Sequence, residues 1–147
     1  MKISLAADHG GFELKDNIRT YLEGQGHQVT DYGVHSADSV DYPDYASKAA
    51  GDVASGRADR ALLFCGSGIG MAISANKFKG VRAAVGTSPE LVKLSRQHNN
   101  ANAMALGGRF TAPAAAREMV DLFLETPFEG GRHEKRVEKI AALEANL

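Results

Sequence analysis

Cysteine is nearly absent from the sequence: Cys65 is the only one among 147 residues. A single thiol cannot form an internal disulfide, so we expect the protein to belong to the reducing cytoplasm. A zinc site made of several cysteine thiolates is excluded by the same count.

An excess of charge is also missing, since 17 basic residues nearly balance 18 acidic ones and leave a net charge of −1. This balance gives no general reason to expect binding to nucleic acid or to an anionic membrane. Long hydrophobic runs are missing too: the first ends at Asp8, and none approaches the roughly 18 residues of a membrane span. We therefore expect no secretory signal, no membrane and no nucleic-acid partner.

The remaining composition is that of a single globular domain. Hydrophobic residues make up 44% of the sequence and charged residues 24%, both ordinary for a soluble fold. A chain of this length buries about two-thirds of its unfolded surface when it folds. We expect one domain over residues 1–147.

Predicted strands and helices alternate along the chain. Apolar and β-branched segments predict five strands, over residues 2–6, 27–32, 61–65, 81–85 and 103–107. Short connections and near-continuous apolar strands are typical of an α/β fold whose parallel sheet is covered by helices on both faces. Ligands in such folds bind at the carboxyl ends of the strands.

Helix starts are marked by polar residues that precede a proline. Asp41, Ser88 and Thr111 each lie one or two residues before a proline. Because proline is favoured in the first turn and a short polar residue at the N-cap, all three are predicted to cap helices.

Polar residues follow three of the five predicted strands. Asp8 and His9 follow the first strand, Cys65 ends the third, and Arg109 lies just after the fifth. Three glycines in the loop Gly66–Gly70 would let backbone N–H groups point at an anion. The loop matches neither the dinucleotide fingerprint nor a P-loop, and tight strand–helix packing is the alternative reason for its glycines.

Two interpretations of Cys65 are open. A lone cysteine is most often an inert, buried core residue. This cysteine, however, directly precedes a predicted helix N-terminus, a position that can lower a thiol pKa from about 8.5 to between roughly 3.5 and 7.5. A thiolate at that position could act as a nucleophile or as a base.

Three of the five histidines lie in dense polar company: His9, His98 and His133. Their neighbours indicate acid–base or phosphate contacts. A metal site is not expected, because no two histidines are four residues apart and no carboxylate cluster joins them.

The segment after "PFEGG" carries a basic pair and an amphipathic helix. Arg132 and Arg136 share a helix face and form either a solvated basic stripe, paired with nearby glutamates, or a phosphate clamp. The predicted helix either folds back on its own domain or lies on a neighbouring copy. Its apolar stripe consists of Val137, Ile140, Leu143 and Leu147.

Six linked motifs, in the same order over nearly the whole chain, closely resemble the type B ribose-5-phosphate isomerases. They are "DHGGFELK", "DYPDYA", "CGSGIGM", "NKFKGVRA", "SRQHNNANAMALGGR" and "FEGGRHEKRVEKI". The resemblance implies a Rossmann-like three-layer αβα sandwich and an isomerase without metal, nucleotide or other cofactor. It also implies a homodimer, often paired into a tetramer, whose last helix, about residues 131–147, packs on the partner.

The resemblance assigns the chemistry residue by residue. Cys65 would move a proton between C1 and C2 of a sugar phosphate through a cis-enediolate. His98, assisted by Asp8, would open the furanose ring. The loop with Ser67 would hold the enediolate oxygens, and Asn99 would hold a sugar or enediolate oxygen. Tyr42 would line the pocket, and the phosphate would be bound by His9, Arg109, Arg132 and Arg136. The implied binding residues are Asp8, His9, Tyr42, Gly66, Ser67, Gly68, Ile69, Gly70, Asn99, Arg109, Arg132 and Arg136.

Two features distinguish this chain within the family. Some relatives use a downstream glutamate as the base, but the segment "AISANK" holds no carboxylate, which favours Cys65. Ser67 stands where many relatives have threonine, and the hydroxyl is kept. The alternatives are an isomerase of a six-carbon substrate, such as allose 6-phosphate or galactose 6-phosphate, and a non-catalytic sugar-phosphate-binding module.

Overall fold

A computed structural model describes residues 1–147, in which five strands alternate with six helices. The strands are β1 (Lys2–Ala7), β2 (Gln28–Asp31), β3 (Arg60–Cys65), β4 (Ala83–Val85) and β5 (Ala103–Gly107). The helices are α1 (Phe12–Gly24), α2 (Tyr42–Ser55), α3 (Ile69–Ala75), α4 (Pro89–Asn99), α5 (Pro113–Glu125) and α6 (Arg132–Glu144).

The strands form one parallel sheet in the order β2-β1-β3-β5-β4, which confirms the predicted five-stranded parallel sheet. The chain places β2 and β3 on opposite sides of β1. Such a reversal of strand order opens a crevice at the carboxyl ends of the strands, between β1 and β3. Cys65, the last residue of β3, lies opposite Gly107, the last residue of β5.

The two faces of the sheet are covered by different kinds of side chain. One face packs Leu, Ile, Met and Phe residues against α1, α4 and α5. On the other face, the side chains are mainly alanines, and the central strands pack against α2 and α3. Helices thus cover both faces, as in the Rossmann-like three-layer sandwich that the resemblance implies.

Two predicted helix caps are not formed, and strand β4 starts two residues later than predicted, whereas the ends of the other strands agree to within one residue. The Ser88 hydroxyl accepts the Leu91 N–H at 3.2 Å, as predicted for an N-cap. Thr111 does not cap α5: because proline occupies the first helical position, the N-cap falls on Ala112. Asp41 precedes α2 but makes no capping hydrogen bond. Strand β4 starts only at residue 83, since the Arg82 N–H binds the Asn102 side chain at 2.8 Å.

Two buried charges hold the scaffold together. Lys15 in α1 is fully buried, and its Nζ lies 2.7 Å from Asp31 at the end of β2. Asp52 in α2 is 4% exposed and accepts hydrogen bonds from Ser4 and Tyr32 at 2.7 and 2.6 Å. Both contacts tie a helix to the sheet next to β1.

Helix α6 lies outside the layered core. Of its residues only His133 is buried, whereas Ile140 is 41% and Leu143 67% exposed. The Glu144 carboxylate accepts the Gly80 N–H at 3.0 Å, which ties the end of α6 to the loop before β4. None of the six helices has the length and hydropathy needed to cross a bilayer.

Candidate active site

Three loops meet at the carboxyl ends of β1, β3 and β5. The Asp8 N–H donates to the carbonyl of Phe64 at 3.1 Å. The Gly108 N–H donates to the carbonyl of Cys65 at 2.7 Å, and the Arg109 N–H to that of Gly66 at 3.1 Å. These main-chain bonds lock the three loops into one surface, as predicted from the residues that follow each strand.

Two glycines are required by this arrangement. A Cβ on Gly108 would overlap the carbonyl oxygen of Gly10, so only glycine lets the first and third loops touch. Gly68 has φ +83°, the left-handed region that other residues rarely adopt. Tight packing and backbone conformation therefore explain these two glycines. The N–H groups of the loop determine what it can bind.

The Cys65 thiol lies behind the glycine loop. The residue is 4% exposed, and its Sγ accepts the N–H of Gly68 at 3.1 Å. Burial fits a core cysteine, but the hydrogen bond distinguishes this one, because its sulfur has a polar partner in the loop that faces the crevice. The N–H groups of Gly66 and Ser67 make no hydrogen bond within the chain. Donors next to a potential thiolate can stabilise negative charge on a bound oxygen.

The remaining loop residues shape the entrance. Ser67 and Ile69 are exposed, and the Ser67 hydroxyl accepts the Ile69 N–H at 3.2 Å. The Tyr42 ring lies so close to Gly70 that a Cβ there would be 2.7 Å from a ring carbon. Tyr42, the first residue of α2, therefore packs against the glycine loop.

Asp8 presents one free carboxylate oxygen to the crevice. The residue is 7% exposed, and its Oδ1 accepts the Gly10 N–H at 2.8 Å. Its Oδ2 accepts no hydrogen bond from the chain. A fixed carboxylate with a free oxygen is suited to accept a hydrogen bond from a hydroxyl group.

A cavity of about 280 Å³ lies beside these loops, with His9 and Arg109 in its wall. The His9 Nδ1 accepts the Val40 N–H at 3.2 Å, so the neutral ring carries its proton on Nε2. Arg109 is exposed and forms no salt bridge. An Nε2–H donor and a free guanidinium in one wall suit an anionic group.

A second cluster of predicted residues lies at the amino ends of the strands, opposite the carboxyl ends where Cys65 lies. His98 and Asn99 end α4, and Arg132 and Arg136 begin α6. Neither arginine forms a salt bridge, which removes the proposed pairing with the neighbouring glutamates. Both guanidinium groups are exposed and free to bind an external anion.

His98 is part of a triad of ionisable side chains. Its ring stacks on that of His133 with centroids 4.2 Å apart, and its Nε2 lies 3.5 Å from Glu129 Oε1. Burial, together with the charges of His98 and Arg132, lowers the pKa of His133 below its ordinary value. Sequence reasoning missed Glu129, although its spacing of four from His133 was a visible signal.

The two clusters do not meet within one chain. Asn99 lies just before β5, whereas Cys65 lies opposite the last residue of that strand. The first and last of the five residues of β5 are four steps of about 3.3 Å apart, which separates the two ends of the strand by roughly 13 Å. A single chain therefore brings Cys65 together with Asp8, His9, Tyr42 and Arg109 but leaves His98 and its arginines apart.

Comparisons with known proteins agree with this geometry. The family model described as ribose/galactose isomerase matches residues 3–140. Ribose-5-phosphate isomerase B of Escherichia coli is 46% identical over 143 residues, which cover 97% of this chain and 96% of the relative.

Two solved structures of similar proteins superpose over almost their full length. Ribose-5-phosphate isomerase B of Clostridium thermocellum has a TM-score of 0.98 at 46% identity and covers 99% of both chains. The enzyme of Mycoplasma genitalium, solved with bound ribulose 5-phosphate, has a TM-score of 0.95 at 40% identity, covering 99% of this chain and 97% of its own.

Proposed function

The chain belongs to the ribose/galactose isomerase family, and from this premise we infer that it interconverts ribose 5-phosphate and ribulose 5-phosphate. The observation that carries the inference is the buried Cys65 thiol with the Gly68 N–H on its sulfur and two free N–H groups beside it. An aldose–ketose isomerase needs a base at carbon and donors at oxygen, and this loop supplies both.

Cys65 acts as the base in the proposed mechanism. Its thiolate removes the proton from C2 of the open-chain aldose, and negative charge develops on O1 of the enediolate. The resulting thiol returns a proton to C1 while a proton passes from O2 to O1, which gives the ketose. The N–H groups of the loop Gly66–Gly70 stabilise the enediolate oxygens in this step.

His98 opens the furanose ring before the isomerisation. Its imidazole exchanges a proton with the ring oxygen, and the free Oδ2 of Asp8 accepts a hydrogen bond from a ring hydroxyl. Since His98 lies at the opposite edge of the sheet from Cys65, the complete site combines Cys65 of one subunit with His98 of another.

The same division applies to substrate binding. His9 and Arg109 hold the substrate from one subunit, with Tyr42 lining the pocket. The partner supplies Asn99 to a sugar oxygen and Arg132 and Arg136 to the phosphate. Guanidinium groups without a carboxylate partner support this role, since they remain free for a phosphate.

We propose a homodimer, alone or paired into a tetramer, built from single-domain chains in the cytoplasm. The support is the exposed apolar side of α6, where Ile140 and Leu143 remain 41% and 67% exposed, together with Leu147 just beyond the helix, which is 87% exposed. A second copy would cover this stripe, and α6 is then the dimerisation helix. The single reduced thiol supports the location.

Proton NMR of ribose 5-phosphate with the protein in D₂O tests the function. Ribulose 5-phosphate signals should appear, with solvent deuterium at the exchanging carbon. If the substrate stays unchanged, allose 6-phosphate and galactose 6-phosphate are tried in turn. Turnover of one of these but not of ribose 5-phosphate would assign a six-carbon substrate, and no turnover of any would contradict the isomerase.

A further inference from the structure

The triad of His98, Glu129 and His133 has the ligand spacing of a metal site. The Glu129 Oε1 lies 3.5 Å from His98 Nε2 and 3.6 Å from His133 Nε2, and one ligand atom from each residue lies within 4.8 Å of the others. Zinc bonds to nitrogen and oxygen measure about 2.0–2.2 Å, which separates tetrahedral ligands by about 3.3–3.6 Å. Two of the three separations already match this value.

The triad is held in place by its backbone. The Glu129 N–H donates to the carbonyl of Gln97 at 3.1 Å, next to His98. The buried Arg96 guanidinium donates to the carbonyl of Thr126 at 3.1 Å and so fixes the start of the same segment. His133 is 8% exposed and therefore fixed, whereas the His98 side chain is 39% exposed; because the two stacked rings point their lone pairs in parallel directions, the His98 ring must turn for both nitrogens to reach one ion.

We propose that His98, Glu129 and His133 bind a divalent transition metal, Zn²⁺ in the first place, and that the bound ion inhibits the isomerase. Two imidazoles and one carboxylate with an open fourth position form an established zinc ligand set. Mg²⁺, which prefers an octahedron of oxygens, fits poorly. The nearby cations Arg132 and Arg136 oppose any cation and favour reversible binding over a permanent structural site.

Inhibition follows from the role of His98 and rests on the proposed function. A metal on His98 Nε2 occupies the lone pair that exchanges a proton with the sugar ring. The ion is therefore not a cofactor but a competitor for the ring-opening residue, and a chelator should restore activity.

Zinc titration calorimetry on the untagged protein tests the site independently of activity. Wild type and Cys65→Ala should bind one Zn²⁺ per chain with equal affinity, since the thiol takes no part. Glu129→Gln should bind at least about tenfold more weakly. His27→Asn, at a histidine outside the triad, should bind like wild type. No binding by wild type, loss of binding in Cys65→Ala, or unchanged affinity in Glu129→Gln would each overturn the site.

Turnover of ribose 5-phosphate with increasing Zn²⁺ tests the inhibition. Wild type should lose activity over the range in which calorimetry shows binding, and EDTA should restore it, whereas Mg²⁺ should have no effect. Glu129→Gln should need at least about ten times more zinc for the same fractional loss. Zinc that binds the triad without lowering turnover would overturn the inhibitory claim and contradict the ring-opening role of His98. A protein that binds zinc but shows no isomerase activity even without metal would instead contradict the proposed function.

Discussion

The carboxyl ends of the parallel strands (the carboxyl edge of the sheet) and their amino ends (the amino edge) carry different kinds of functional group. At the carboxyl edge, glycine loops are fixed by main-chain bonds, such as the 2.7 Å bond from Gly108 to Cys65, and present a buried thiol and N–H donors. At the amino edge, α4 and α6 present the half-buried His98, the buried His133 and two exposed arginines without a salt bridge. The parallel sheet fixes Cys65 and the N–H donors of its loop within one chain, whereas His98, Arg132 and Arg136 lie at the opposite ends of the strands and, in the proposed mechanism, act on the substrate held by a second chain.

Loss of the Cys65 thiol should have the largest effect. Cys65→Ala removes the proposed base from the carboxyl edge, so we expect kcat to fall by about 10²–10⁴ or more. Binding of ribose 5-phosphate, measured by calorimetry, should survive because the phosphate contacts are intact. Substantial turnover by the variant would remove Cys65 as the base.

The second-largest effect should come from adding a side chain where the loops of the carboxyl edge touch. Gly108→Ala forces the loops apart, since the added Cβ overlaps the Gly10 carbonyl, and should lower the free energy of unfolding by about 1–3 kcal/mol. Gly24→Ala is the matched control, because no atom lies within 4 Å of a Cβ at that position. Urea unfolding of both variants measures the difference. Equal stability of the two would show that the loop contact tolerates a side chain.

A single arginine at the amino edge should have a smaller effect, confined to binding. Arg136→Ala should raise KM with little change in kcat, through loss of a charge-assisted hydrogen bond of about 1.5–3 kcal/mol. Lys135→Ala, the exposed neighbour on the same helix, is the control for a general loss of positive charge. If KM is unchanged in Arg136→Ala, its guanidinium is only solvated.

The stability of the fold at low pH should depend on Asp52. Burial by itself raises the Asp52 pKa, but hydrogen bonds from Tyr32, Ser4 and Arg57 outweigh it and hold the pKa below its ordinary value. A carboxyl whose pKa is lower in the folded state stabilises the fold above the unfolded pKa, about 3.9, and this stabilisation is lost as pH falls through the folded pKa.

Urea midpoints measured from pH 6 down to pH 2 test this linkage. Asp52→Asn should be less stable at pH 6 and should lose less stability on acidification than wild type. Parallel pH profiles for the two proteins would mean that Asp52 does not contribute to acid unfolding.

The strands and the carboxyl-edge cluster were predictable because both follow from local pattern. Apolar segments mark the strands, and parallel strands gather the residues at their ends, which is why Asp8, Cys65 and Arg109 are neighbours. The predicted cap at Thr111 was wrong because Pro113 fixes the first helical position and moves the N-cap to Ala112. The buried charges Lys15 and Asp52 were not foreseen, since each depends on a partner brought close only by the fold.

The division between the two edges carried a signal in the sequence. His98 lies in the last turn of the helix that leads into β5, and a helix between parallel strands ends at the amino edge of the sheet. The family resemblance places Cys65 and His98 in one active site, whereas the topology puts them at opposite ends of the strands within one chain. The spacing of four between Glu129 and His133 was visible in the sequence, but the approach of His98 to this pair depends on the three-dimensional contact between α4 and the segment before α6.

Mixing two inactive variants tests the shared site most directly. Cys65→Ala and His98→Asn homodimers are mixed in equal amounts, exchanged under mild denaturant and returned to buffer. If each site takes Cys65 from one subunit and His98 from the other, every mixed dimer contains one intact site, and about a quarter of wild-type activity should return. If both residues act within one chain, no intact site forms in any dimer, and activity that stays at the level of the separate variants would contradict the account.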